Sequence, residues 1–151
     1  MQKLKEILGL KAKSRKYEGM RDSKTKLPNG GGKLTEYTMS VVGARKVTKF
    51  MTGTFKAGKE NGHYGIEIAK DLRYEGEMVD GKINGIGKLS NKIGGSHETY
   101  IGEWKAGVRH GFGKYIDKVN KALYVGEFKD GLWHGHGRMD QTNEYTYEGD
   151  F

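Results

Sequence analysis

Apolar and polar residues follow a pattern that recurs along this chain. Its clearest copy runs from Tyr100 to Tyr115: an aromatic residue, a glycine two positions later, an apolar residue two positions after that, a turn glycine, and then Gly-x-Gly. Related copies start at Tyr74 and Tyr124, and another opens at Tyr147, so the starts are 26, 24 and 23 residues apart. Self-similarity at such a period is typical of a repeat array.

Two earlier copies are irregular. The first opens at Tyr17, whereas the second has Met51 in place of the leading tyrosine and Tyr64 in place of the second glycine. The second copy therefore predicts a local bulge or register shift. We divide the chain into an arm over residues 1–16 and an array over residues 17–151, with about five repeats and a terminal half-repeat.

Each regular copy predicts a β-hairpin. Two-residue hairpin turns need positive φ at both central positions and favour Asp-Gly, which predicts turns at Asp80-Gly81, Ala106-Gly107 and Asp130-Gly131. Counting outward from the turns predicts directly opposed glycines: Gly53–Gly62, Gly76–Gly85, Gly102–Gly111 and Gly126–Gly135.

Side chains alternate between the two faces of a strand. The count therefore places Tyr100 and Trp104 on one face, and Glu103 opposite His110 on the other. Opposed glycines pack nothing in an isolated hairpin, so we interpret them as slots filled by aromatic rings and not as phosphate-binding loops. The pattern as a whole predicts an all-β fold.

The arm has a different pattern. Residues 2–10 predict a short amphipathic helix, with Leu4, Ile7 and Leu8 on one face. Three roles are consistent with it: a cap on the first repeat, a docking arm for a partner or an anionic membrane, and a mitochondrial targeting segment. Lysine in place of arginine, a single serine and an early Glu6 count against targeting.

Charge is concentrated in the arm, where residues 1–16 carry +5 of the net charge of +8. The cations that would contact an anionic surface are Lys3, Lys5, Lys11, Lys13, Arg15 and Lys16. The chain has no cysteine, which excludes disulfides and thiolate chemistry. No apolar run approaches the roughly 18 residues that a membrane-spanning helix needs. A reducing intracellular compartment is the simplest interpretation.

Candidate chemistry is sparse. His134-Gly-His136 resembles a pair of metal ligands, but His134 stands where other repeats have His110 or Asn84, so a cross-strand polar pair with Glu127 explains it more simply. The Gly-x-Gly copies lack the remaining residues of nucleotide-binding motifs. We expect no catalytic residues, no metal site and no cofactor. The aromatic residues follow the repeat spacing, which argues against a nucleic-acid interface.

The repeated string Tyr-x-Gly-Glu-Trp/Phe-x-x-Gly-x-x-His-Gly-x-Gly resembles the MORN repeat (membrane occupation and recognition nexus), from Tyr17 onward. The resemblance implies an elongated, single-layer, twisted antiparallel sheet of successive hairpins. It also implies a scaffold, since family members serve in ciliary radial spokes, cytoskeletal collars, membrane junctions and myosin-binding adaptors. The kinase and methyltransferase domains of some relatives have no room in this chain.

We therefore expect a non-catalytic scaffold or docking subunit of a multi-subunit assembly. A partner protein segment would bind in an aromatic groove, lined by Tyr74, Met78, Tyr100, Trp104, Tyr124, Phe128 and Trp133. The expected setting is a cytoskeletal or ciliary (axonemal) assembly in the cytoplasm, cilium or flagellum. An accessory subunit of another large complex, including a mitochondrial one, is an alternative.

Two further partners follow from the ends of the chain. The basic arm would make the protein a peripheral membrane adaptor that contacts anionic lipids. The strand edge near Phe151 would pair with a second copy, because unprotected edges invite pairing, and the result would be end-to-end homo-association.

Overall fold

The computed structural model describes residues 10–40, 46–69, 71–141 and 145–151. They form one open antiparallel sheet, which confirms the all-β fold of successive hairpins. Its strands are β1 (Leu10–Arg21), β2 (Pro28–Ser40), β3 (Lys46–Lys56), β4 (Lys59–Glu60), β5 (Gly62–Ala69), β6 (Leu72–Val79), β7 (Lys82–Asn91), β8 (Glu98–Lys105), β9 (Val108–Asp117), β10 (Ala122–Lys129), β11 (Leu132–Gln141) and β12 (Tyr145–Asp150).

Each strand pairs with its neighbours in sequence, so the sheet grows by one hairpin at a time. The exception is β4, a two-residue strand that pairs with the end of β3 while β5 pairs further along it. A single 3₁₀ turn, Ile93–Gly95, lies between β7 and β8. Among the described residues no helix is long and apolar enough to cross a bilayer.

Among the described residues the sheet begins at Leu10. The helix that we predicted over residues 2–10 falls outside the described part of the chain, except for its last residue. β1 begins at that residue, Leu10, and pairs with β2 from Leu10–Ser40 onward. Residues 10–16, which we assigned to the arm, therefore belong to the sheet. The division of the chain at residue 16 stays a prediction.

The predicted hairpin turns are confirmed by their backbone angles. Both central residues have positive φ in every one: 50° and 77° at Asp80-Gly81, 51° and 88° at Ala106-Gly107, and 52° and 87° at Asp130-Gly131. Turns of this hand match the right-handed twist of the flanking strands. Each turn also bonds to the preceding hairpin, as in the 2.8 Å hydrogen bond that the Gly107 N–H donates to the Ile83 carbonyl.

Beyond the turns, the strand register differs from the one obtained by counting residues outward from each turn. Trp104 pairs with Arg109 as predicted, but Gly102 then faces Gly113. The predicted glycine pairs Gly53–Gly62, Gly76–Gly85, Gly102–Gly111 and Gly126–Gly135 are therefore wrong. The pairs in the structure are Gly32–Gly53, Gly76–Gly87, Gly102–Gly113 and Gly126–Gly137.

A bulge causes this shift, because three residues from His110 to Phe112 oppose the single residue Glu103. Gly111, in the middle of the bulge, has a φ of +57°, which a residue with a Cβ rarely adopts. The Glu103 carboxylate accepts a 2.9 Å hydrogen bond from the Phe112 N–H. The predicted Glu103–His110 ladder pair is thus replaced by a bond from the carboxylate to the bulged backbone.

The shift aligns glycines across the whole sheet, since the strands of neighbouring hairpins also pair glycine with glycine. One row crosses seven consecutive strands: Gly76, Gly87, Gly102, Gly113, Gly126, Gly137 and Gly149. A shorter row joins Gly19, Gly32 and Gly53. Between the two rows stands Tyr64, which faces Gly76.

The close contact between rings and glycines predicts that adding a Cβ in the glycine row lowers the free energy of unfolding. A Cβ at Gly113 would lie 2.6 Å from Cε2 of Tyr100, whereas a Cβ at Gly65, in β5, would meet no atom within 4 Å. We expect Gly113→Ala to lower the free energy of unfolding by about 1–3 kcal/mol through overpacking. Gly65→Ala should change it by no more than about 1 kcal/mol. Urea unfolding measures both, and equal losses would contradict the steric role of the row.

Candidate functional site: the tyrosine face

One face of the sheet, which we call the tyrosine face, carries the leading tyrosines of the repeats over the glycine rows. The Tyr100 ring covers Gly102 and Gly113, and a Cβ at either position would lie within 2.7 Å of it. Its hydroxyl donates a 2.8 Å hydrogen bond to the Glu103 carbonyl. The same bond recurs at Tyr17–Met20, Tyr74–Glu77, Tyr124–Glu127 and Tyr147–Asp150.

Burial makes the hydroxyls of Tyr74 and Tyr100 harder to ionise. Desolvation raises the pKa of Tyr74 and that of Tyr100 to about 12, because the charged phenolate would lose its water. Each of these two phenols is a hydrogen-bond donor, and the carbonyl after the strand glycine is its acceptor.

The irregular second repeat fills the same slot from the other strand. Met51 stands at the leading position, and the Tyr64 ring instead covers Gly53, where a Cβ would lie 2.5 Å from Cδ1 of the ring. The Tyr64 hydroxyl donates to the Thr54 carbonyl, which is again the carbonyl after the strand glycine. The two departures from the template therefore compensate each other, and neither is a random loss.

Six of the seven residues that we predicted to line a groove are buried. Tyr74, Met78, Tyr100, Trp104, Tyr124 and Phe128 are 0 to 7% exposed. Their rings pack edge to face between repeats, with 5.7 Å from Tyr74 to Trp104 and 4.9 Å from Tyr100 to Phe128. Such pairs contribute about 0.5–1.5 kcal/mol each beyond the area that they bury. These six side chains thus form the core and have little surface left for a partner.

The seventh residue, Trp133, is half-buried beside an open cleft. Its ring stacks on Tyr124 with centroids 4.8 Å apart and an interplanar angle of 11°. The cleft has a volume of about 520 Å³ and is lined by Glu98, Arg109, Tyr115, Gly131, Leu132, Trp133 and Phe151. Leu132 is 72% exposed at its rim.

Arg109 is the charged group that the sequence reasoning missed. Its guanidinium carbon lies 5.4 Å from the centre of the Tyr115 ring and 5.7 Å from that of Phe128, which is cation–π geometry. Ile83 and Trp133 occupy the same position in the neighbouring repeats, facing Met78 and Phe128 across their hairpins as Arg109 faces Trp104. An arginine at an apolar position of the template is the signal that could have found it.

The basic residues of the arm are only partly placed by the structure. Lys3 and Lys5 lie outside the described residues, while Lys11 and Lys13 lie on β1. Arg15 is exposed on the same strand. The exposed Lys16 also lies there, with its ammonium 2.6 Å from the Glu18 carboxylate. The contact of these cations with an anionic surface stays a prediction.

The remaining candidate chemistry finds no support in the geometry. Within the ranges that the structure describes, no three His, Asp or Glu side chains converge as metal ligands. His136 lies 3.4 Å from Asp150, and His134 pairs with Glu127 across the hairpin, as the sequence predicted. At the far edge of the sheet β12 pairs only with β11 among the described strands. Self-association through that edge stays a prediction.

The space over Gly53 in the second repeat can be tested by moving the tyrosine from position 64 to position 51. Tyr64→Gly should cost about 3–5 kcal/mol of unfolding free energy, as for other buried aromatic deletions. Met51→Tyr should cost about 1–3 kcal/mol, because two rings would compete for one slot. The double variant should be more stable than Tyr64→Gly alone, since the introduced ring would then cover Gly53 as Tyr100 covers Gly102. Additive losses in the double-mutant cycle would contradict the exchange.

Comparison with known families agrees with this repeat geometry. The family model described as MORN repeat matches three tandem segments, residues 74–96, 100–118 and 124–143. Each segment starts at a leading tyrosine and covers most of one of the three regular hairpins, β6–β7, β8–β9 and β10–β11. Comparison with curated proteins found no match. From the three matches, and from the hairpins that carry them, we conclude that residues 74–143 of the chain form tandem MORN repeats.

Proposed function

We propose that this protein is a non-catalytic scaffold or docking subunit that binds a protein segment beside Trp133. MORN repeats are in general protein- or membrane-binding modules. The observation that carries the proposal is the cleft, in which the exposed Leu132 and the half-buried Trp133 adjoin the charged Arg109. Aromatic and arginine side chains that converge in a pocket are typical anchors of protein interfaces.

The location of the docking site follows from burial. The expected groove along Tyr74, Tyr100 and Tyr124 is filled by the rings themselves, so a partner would contact the face where it is still open. The cleft meets this condition, because Arg109 occupies a position where Trp133 of the next repeat supplies an indole. A bound segment would place an apolar side chain against Trp133 and a polar group near Arg109.

We further propose that the assembly is cytoskeletal or ciliary. The support is the resemblance to small, enzyme-free MORN arrays that serve as structural subunits. A subunit of another large complex, including a mitochondrial one, is the alternative. Tagging the protein in its own cells and imaging it with axonemal and mitochondrial markers distinguishes these locations.

The docking site can be tested by comparing a position in the cleft with an exposed position on the opposite face. Trp133→Ala should reduce recovery of the partner at least about tenfold in quantitative pulldowns from the source cells. Val79→Ala is the matched control, since Val79 is exposed on the other face of the sheet. Circular dichroism should show that both variants keep the fold. Partner recovery unchanged in a folded Trp133→Ala variant would contradict this site.

A membrane adaptor is a second candidate, and one observation favours it. Lys56 and Lys59 face each other directly across the Ala57-Gly58 turn, and like charges in this position are destabilising unless an anion lies nearby. The turn between β1 and β2, which carries Lys24 and Lys26, packs beside the Ala57-Gly58 turn through Leu27. The first 70 residues hold 16 of the 27 Lys and Arg residues but 6 of the 19 Asp and Glu residues.

Flotation with phosphatidylserine vesicles tests the membrane candidate. Replacing Lys24, Lys26, Lys56 and Lys59 by glutamate should abolish salt-sensitive binding. The matched control makes the same charge change at Lys82, Lys105, Lys118 and Lys129, which are exposed elsewhere. A deletion that tests the arm should stop at residue 9, because residues 10–16 form β1. If the unaltered protein does not bind the vesicles, this candidate is excluded.

A further inference from the structure

The face opposite the tyrosine face carries a row of exposed apolar side chains. Ile86, Ile101 and Phe112 are 56, 41 and 58% exposed, and Val125 is half-buried. They lie on β7, β8, β9 and β10 in turn, one on each strand. We call these four residues the apolar stripe. Single exposed apolar residues are normal in proteins, but a contiguous set marks an interaction surface.

The strand pairing makes the stripe a zigzag. Ile101 and Val125 lie in one cross-strand row, separated by Lys114, which pairs with both. Ile86 and Phe112 lie outside this row. Each is two residues nearer the hairpin turn than the residue of its own strand that pairs with Ile101, so each is a diagonal neighbour of Ile101. Adjacent strands are about 4.8 Å apart. The stripe therefore presents one apolar group about every 4.8 Å across the sheet, alternately to the left and to the right.

This spacing fits an amphipathic helix laid across the strands. Apolar residues at i, i+3 or i+4, and i+7 alternate on either side of one helix face. At 1.5 Å per residue they advance by about 5.3 Å per step, which is close to the strand spacing. Four strands would thus accept about four consecutive apolar residues of one helix.

Lys114 determines what the helix must carry. Both of its cross-strand partners are apolar, and in the described part of the chain its ammonium forms no ion pair. The acidic side chains nearest in the pairing are already engaged: Glu103 accepts from the Phe112 N–H and Glu127 from the His136 N–H. A partner that covers the stripe would take Lys114 out of water, which is costly without a counter-charge.

We propose that the apolar stripe docks an amphipathic helix of a partner protein, with a carboxylate of that helix facing Lys114. This surface is separate from the cleft at Trp133, and either one can exist without the other. A second copy of the chain fits less well, because a two-fold contact centred on the stripe would set two Lys114 ammonium groups against each other. An anionic membrane fits less well, because Glu103 and Glu127 lie beside the stripe on the same face. They offset the charge of Lys88 and Lys114, which pair with Ile101 from either side.

A display library of helical peptides tests the proposal. The library has apolar residues fixed at i, i+3, i+7 and i+10 over about 14 residues, with all other positions random, and the full chain is the bait. Selected peptides should share an aspartate or glutamate beside the apolar face. Their affinity for Ile101→Ser/Phe112→Ser should fall at least about tenfold. Both residues are exposed, so this variant should keep its thermal unfolding midpoint.

Charge reversal is the decisive arm of the experiment. Lys114→Glu should lower the affinity for the selected peptides at least about tenfold. Exchanging the peptide carboxylate for lysine should restore binding to the Lys114→Glu variant but not to the unaltered protein. Trp133→Ala should bind as the unaltered protein does, which separates this surface from the cleft.

Four results would overturn the proposal. One is that no peptide is enriched over the Ile101→Ser/Phe112→Ser control, and another is that Lys114→Glu binds the selected peptides unchanged. A third is dimerisation in analytical ultracentrifugation that Ile101→Ser/Phe112→Ser abolishes, which would assign the stripe to a copy–copy interface. The last is flotation with anionic vesicles that the same double variant abolishes, which would assign the stripe to a membrane.

Discussion

The close approach of a tyrosine ring to a bare backbone is the contact on which the structure of this protein depends. A single layer of strands has no second layer to cover it, yet Tyr74, Tyr100 and Tyr124 are almost completely buried. They are buried because glycines on adjacent strands leave no Cβ between ring and main chain, and because the apolar residue of the next repeat packs on the ring edge. Each repeat thus completes the core of its neighbour.

The bulge after each turn makes that contact possible. It moves the ladder by two residues, so that the second glycine of Gly-x-Gly, not the first, comes to lie under the ring. The first glycine has a separate role, because Gly85, Gly111 and Gly135 adopt positive φ inside the bulge. The glutamate after the strand glycine binds the bulged backbone in two of the three regular repeats, through Glu103 and Glu127. The second repeat shows that the ring matters more than its position, since Tyr64 supplies it from the opposite strand.

These constraints also determine where a partner has room to bind. The aromatic residues that look like a binding surface in sequence are the core, so the tyrosine face is open only where the ring pattern changes, at Arg109 and Trp133. The opposite face carries the carboxylates that bind the bulges, and its apolar residues Ile86, Ile101 and Phe112 are exposed. The two surfaces of this single-layer sheet thus differ: one holds the buried aromatic core, and the other presents exposed apolar side chains.

The sequence by itself determined the repeat, the hairpins, their turns and the alternation of faces, because these depend on local backbone geometry and on the two-residue period of a strand. Register and exposure were decided only in the tertiary structure. The count from Ala106-Gly107 assumed an unbroken ladder, whereas the ladder has a bulge opposite Glu103, where the Phe112 N–H donates a hydrogen bond to the Glu103 carboxylate. In the same way, an aromatic face in a predicted single layer looks exposed until neighbouring repeats are in place, because the side chains that bury Tyr100 come from another hairpin.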